Sequence, residues 1–143
     1  MKTLVLFTAA YPYRFGDGLA FVGPEVSELS RVFDQVLVVP THRGASKQQV
    51  PNNVVVDESL AQIHPLNRGQ MLRLSAKSKL LSNKLRSRPP MVFQRYGLRR
   101  LIYYVAHTES TEEWLQSFTS RYRLEPANCL FYTYWLGPVT TGL

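Results

Sequence analysis

The feature that most constrains this chain is a change of hydrophobic period within its first forty residues. Thr3–Ala9 (TLVLFTA) is short, continuously apolar and rich in β-branched and aromatic residues, the pattern of a strand buried on both faces. Tyr11-Pro12-Tyr13 and then Gly16-Asp17-Gly18 end it with turn chemistry, since proline fixes φ and glycine accepts positive φ. Beyond Phe21 the apolar residues Val22, Val26, Leu29 and Phe33 recur in steps of four, three and four, which is one face of a helix. Pro24 fits a first turn, where its missing N–H has no helical partner, and Glu25 beside it suits the positive end of the dipole. Gln35–Val39 is apolar and β-branched again. Strand, helix and strand in so short a span make a βαβ unit. The expected fold class is therefore α/β, a Rossmann-like parallel sheet with flanking helices.

The remaining segments extend that plan. The 143 residues give room for one domain with a real core. Thr41–Pro51 is a polar loop, Asn53–Asp57 (NVVVD) a short third strand, and Ala61–Asn67 a connection. In residues 68–88, Met71, Leu74, Ser78, Leu81 and Leu85 form a narrow helical stripe that Pro89-Pro90 ends. Met91–Ala106 reads as a helix interrupted by Gly97. Its Phe93, Tyr96, Tyr103 and Tyr104 fit a core face better than an interfacial belt. Ser110-Thr111-Glu112-Glu113 has the form of a capping box, with Trp114, Phe118 and Tyr122 following at helical spacing, so a separate helix is expected over Thr111–Tyr122. Cys129–Trp135 (CLFYTYW) is the best candidate for the next central strand. Gly137-Pro138 starts what should be another helix, which leads us to expect the N-terminal part of a longer protein.

Charge is unevenly placed. The formal net charge is +7, yet residues 66–100 hold ten Lys/Arg and no acid, while the flanking stretches are slightly acidic. A clustered basic block asks for an anionic partner. One reading is a surface helix with a solvated cationic face. Another is a helix lying on an anionic membrane, with Arg73, Lys77, Lys79, Lys84 and Arg86 as the anion patch. Nucleic acid is disfavoured, because residues 66–90 carry no aromatic to stack on bases and no nucleic-acid motif is present.

Motif chemistry narrows the field further. The single cysteine, Cys129, excludes an internal disulfide and a cysteine-based metal cluster. His42, His64 and His107 show no ligand spacing, so no metal site is expected. No nucleophile elbow and no Gly-x-x-x-x-Gly-Lys-Ser/Thr occurs. No run approaches the roughly 20 apolar residues of a spanning helix. The apolar N-terminus reads as a core strand rather than a signal peptide, because the following helix has the phase to cover it. Gly16-Asp17-Gly18 is a loose phosphate-type turn lacking the third glycine of a dinucleotide fingerprint, with a tight surface turn as the alternative. Ligands in open α/β sheets sit at the carboxyl ends of strands, and this loop leaves such an end. Gly16, Asp17, Gly18 and Glu25 are therefore the candidate substrate-binding residues. For Glu25, capping of the helix is the plainer role.

A first strand ending in Tyr11-Pro12-Tyr13, then Gly16-Asp17-Gly18, Phe21, Glu25, Phe33-Asp34-Gln35-Val36 and a valine-rich strand ending in Pro40 resembles the N-terminal domain of GT-B-fold retaining glycosyltransferases. The similarity is to bacterial, family-4-like enzymes of polysaccharide assembly. Leu130–Trp135 resembles the tyrosine-tryptophan strand of that domain. The match covers residues 3–40 and 129–143; the stretch between agrees only in character. The resemblance implies a nucleotide-sugar donor bound mainly by a C-terminal domain outside this chain, with no other cofactor. It also implies a saccharide or lipid-linked acceptor and a cytoplasmic protein, peripheral on the inner membrane. The catalytic residues it implies lie outside these 143 residues, so none is assigned and the chain alone is expected to be inactive. A nucleotide-binding domain that transfers no sugar, and a basic nucleic-acid-binding module, stand as alternatives.

Overall fold

The computed structural model describes residues 1–13, 18–87 and 97–134. Four strands form one sheet: β1 (Thr3–Thr8), β2 (Gln35–Pro40), β3 (Val54–Val56) and β4 (Cys129–Thr133), in the order β3-β2-β1-β4 and all parallel. Register runs Thr3↔Gln35 to Thr8↔Pro40, Thr3↔Cys129 to Phe7↔Thr133, and Val36↔Val54 to Val38↔Val56. The fold is α/β and Rossmann-like, as the opening period change requires. Among the described residues two compact units are present: one takes in Met1–His64 and residues 119–134, and the other Pro65–Phe118.

In the first unit, α1 (Gly18–Val32) joins β1 to β2. Its Val22 and Val26 pack on Leu4 and Leu6 of β1, Val36 and Val38 of β2, and Val54 of β3, with Leu29 and Phe33 at the margin. The helical stripe and the even-numbered strand face thus meet as the spacing predicts. Each fully buried aliphatic side chain contributes about 1.5–3 kcal/mol, so this face holds the helix on the sheet. The helix starts earlier than expected. It begins at Gly18, which places Pro24 in its interior and Glu25 beyond the first turn, where no acid stands. An interior proline costs roughly 3 kcal/mol, and the buried valines on either side of Pro24 offset it. Helix capping by Glu25 is accordingly not what the fold uses.

Loop 41–50 returns from β2, and the short helix α2 (Ser59–Ile63) follows β3 where a plain connection was expected. Asp57 explains it: its Oδ1 accepts the Ser59 backbone N–H at 2.8 Å and the Ser59 hydroxyl, so the turn is closed by side-chain bonding. Its Oδ2 accepts from Arg121 Nη1 and from the Tyr122 hydroxyl, both at 2.9 Å. Burial alone would raise the Asp57 pKa, but the bonds from Ser59 and Tyr122 and the Arg121 charge outweigh it and hold it below the usual value. β4 stands at the edge of the described sheet rather than at its centre. Leu130, Phe131 and Tyr132 are 54%, 38% and 39% exposed, because β4 has β1 on one side only.

In the second unit, the single stripe over 68–88 is two helices, α3 (Arg68–Lys77) and α4 (Lys79–Ser87), broken at Ser78. Ser78 is extended at ψ 127°, its Oγ accepts from Leu80 N at 3.1 Å, and its hydroxyl donates to Glu109. α5 (Gly97–Tyr122) is one helix of 26 residues, so no helix begins at Ser110. Thr111 instead donates to the His107 carbonyl at 2.8 Å from inside the helix, and Trp114 stacks on Phe118. A true capping box exists at Asn67 and Gln70, each side chain accepting the other's backbone N–H at 2.9 Å. Tyr103 and Tyr104 are 52% and 39% exposed, contrary to a core role, while Phe93 and Tyr96 fall outside the described residues.

Candidate functional site

Connectivity locates the site. From β1 the chain moves outward to β2 and β3, then returns to place β4 on β1's other side, so the strand order reverses between β1 and β4. The carboxyl ends flanking such a reversal are where open parallel sheets leave a crevice. On β1 that end is Thr8, followed by a turn in which Thr8 Oγ1 donates to the Tyr11 carbonyl at 3.0 Å and Tyr13 N to the Ala10 carbonyl at 2.8 Å. On β4 it is Thr133, beyond which Tyr134 N donates to the Phe7 carbonyl at 3.2 Å.

Glu25 of α1 reaches this end of the sheet, where its Oε2 accepts a hydrogen bond from the Tyr134 hydroxyl. Tyr132 and Tyr134, two apart on one strand line, share a face, and their rings lie 5.8 Å apart at 51°. The bond to Glu25 pushes the Tyr134 pKa up to about 12, helped by burial and the carboxylate charge. That same charge, foremost, raises Tyr132. One carboxylate beside two phenols, one of them 39% exposed, offers strong acceptors for hydroxyl donors and an aromatic face for an apolar ring edge. A carboxylate also disfavours a phosphate in the same place.

Of the residues singled out in the sequence, Glu25 is beside Tyr134 at the carboxyl end of the sheet, on the helix that follows β1. Gly18 is the first residue of α1, while Gly16 and Asp17 lie outside the described residues. Arg73, Lys77, Lys79 and Arg86 are exposed on α3 and α4; Lys84 is on α4, its side chain outside the described set. Tyr132 and Tyr134 were legible only as strand residues. Their alternation was visible, but nothing in the linear chain joins them to a carboxylate 109 positions from Tyr134.

A second side-chain cluster lies at the carboxyl ends of β1, β2 and β3. Glu58 accepts from the Tyr13 hydroxyl and pairs with Arg43 Nη2 at 2.6 Å, with Lys47 Nζ at 4.0 Å. Burial, then the bond to Glu58, pushes the Tyr13 pKa up to about 12. Gln48 N donates to the Pro12 carbonyl at 2.9 Å, and His42 N to the Ala9 carbonyl at 2.9 Å. The cluster fastens the loop after β2 to the turn after β1. Among the described residues, no three His, Cys, Asp or Glu side chains gather as metal ligands, and no helix is long and apolar enough to cross a membrane. No protein-family model, no curated protein and no solved structure matches the chain.

Proposed function

We propose that this chain is the acceptor-side domain of a sugar-transferring enzyme, binding a saccharide or lipid-linked saccharide at the crevice between β1 and β4. The supporting observation is Glu25, held by the Tyr134 hydroxyl beside Tyr132 at the point where the strand order reverses. A sugar presents hydroxyl donors for the carboxylate and C–H faces for the tyrosines. The donor nucleotide sugar would engage a further domain, and transfer would occur where the two meet. The resemblance of residues 3–40 and 129–143 to GT-B-fold glycosyltransferases supports the same reading.

A dinucleotide-binding role is the second reading, favoured by the strand order itself, which the first half of such domains shares. The carboxylate of Glu25 weighs against a diphosphate there. Titrating the full chain with an acceptor-type oligosaccharide, with its diphosphate-linked lipid analogue, and with a dinucleotide separates the two. Saccharide binding is expected, weakened about tenfold or more by Glu25→Gln, since hydrogen bonds to a charged group contribute roughly 1.5–3 kcal/mol. Binding of the dinucleotide alone, or indifference to Glu25→Gln, would overturn the reading.

A further inference from the structure

At the carboxyl end of β4 one carboxylate stands among aromatic rings without a counter-charge. Glu25 is half-buried, and among the described residues no lysine, arginine or histidine lies within salt-bridge reach of it. Glu58 and Asp57 of the same unit each hold a cation, Arg43 and Arg121 respectively. Around Glu25 the polar neighbours are phenols instead. The Tyr134 hydroxyl donates to its Oε2, and Tyr132 is raised first by the carboxylate charge, then by burial and by a bond to it. With the Tyr134 pKa at about 12, both phenols stay neutral in ordinary buffers, and the negative charge belongs to Glu25. Phe21, four residues before Glu25 and so on the same side of α1, is 70% exposed. Helix and strand therefore bring an unpaired anion and three aromatic rings to one end of the sheet.

We propose that Glu25, Tyr132, Tyr134 and Phe21 select a ligand bearing a primary ammonium group, an amino sugar whose nitrogen is not acetylated. The sugar rests on the reading under Proposed function; the ammonium goes beyond it, naming the group that Glu25 recognises. A primary ammonium brings three N–H donors. The carboxylate takes one in a charge-assisted bond, the phenol oxygens are acceptors for the others, and the ring faces attract the same charge. A neutral hydroxyl would use the carboxylate but gain nothing from the ring quadrupoles. An acetamide keeps one N–H and loses the charge. A quaternary ammonium would engage the rings and leave the oxygens without a donor. A phosphate would be repelled by Glu25. Of these groups only the primary ammonium matches the charge, the acceptors and the rings together.

Titration of the full chain with glucosamine and galactosamine, their N-acetyl forms, glucose and galactose, and cyclohexylamine tests it. Binding is read by NMR in mildly acidic buffer, where each amine is protonated. At least one amino sugar is expected to bind about tenfold more tightly than its N-acetyl and parent forms. Glu25→Gln, which keeps an acceptor for Tyr134, should bring that ratio close to one. Phe21→Leu, at an exposed position, should lower it about threefold. Circular-dichroism melts check folding, and if Glu25→Gln does not fold, Phe21→Leu decides. Sugars that bind equally with and without the amine would overturn the ammonium and leave the saccharide reading standing. Cyclohexylamine bound through Glu25 with no sugar bound would overturn the amino sugar and the saccharide reading together. A preference for the amine that survives Glu25→Gln, or no binding of any probe, would also overturn the proposal.

Discussion

Tyr13 shows how closely single residues are fitted in the first unit. It is 5% exposed, its hydroxyl bonds Glu58, and a Cβ placed on Gly44 would stand 2.8 Å from its own Cβ. That distance is shorter than side chains adopt, and neither atom is a flexible end. Gly44→Ala should therefore destabilise the protein by about 1–3 kcal/mol through overpacking, read from urea unfolding. No change in midpoint would mean that the loop after β2 yields freely. Position 44 was legible only as part of the polar loop Thr41–Pro51. Its contact with a residue thirty-one places earlier was not, because only the parallel pairing of β1 and β2 brings their carboxyl ends together.

Elements show where local signals mislead. Ser110-Thr111-Glu112-Glu113 and Asn67-x-x-Gln70 both fit a capping box, yet only the second starts a helix. Ser110 and Thr111 are buried mid-helix, where surrounding packing overrides the preference of a hydroxyl for a terminus. The end of α5 is closed differently. Arg123 takes φ 50°, with Arg123 N donating to the Ser120 carbonyl at 3.3 Å and Leu124 N to that of Thr119 at 3.0 Å. This is a Schellman arrangement with a side chain where glycine is usual. Arg123→Gly should raise stability by about 1 kcal/mol, since a left-handed L-residue costs roughly that much, seen as a higher melting temperature. A fall instead would show that the Arg123 side chain holds something worth more than the strain.

Across the whole molecule, the raised tyrosines fall in the sheet unit: Tyr13, Tyr122 and Tyr134 are each pushed up to about 12. A raised folded pKa contributes stability present below the ordinary value of 10 and lost as pH climbs through the folded one. Stability should therefore decline between about pH 10 and 12, with tyrosinate absorbance and loss of sheet signal rising together. Asp57 acts at the other end: its lowered pKa gives stability above the usual carboxylate range that disappears as pH falls through the folded value. Asp57→Asn should thus flatten the acid limb and also soften the alkaline limb, because the Asp57 charge and its bond help to raise Tyr122. An unchanged acid limb would remove Asp57 from that account.

Sequence by itself determined the parallel α/β plan, because a buried-strand run, a helical stripe and a second such run leave one economical way to cover both faces. It also determined the basic block, which composition alone displays. Tertiary structure decided what depends on distant partners: that Glu25 meets Tyr134 rather than caps α1, that Ser78 breaks one stripe into two helices, and that Tyr103 and Tyr104 face outward. Hydrophobic period reports which side of an element is apolar. What that side meets is settled only when strands and helices far apart in the chain are brought into contact.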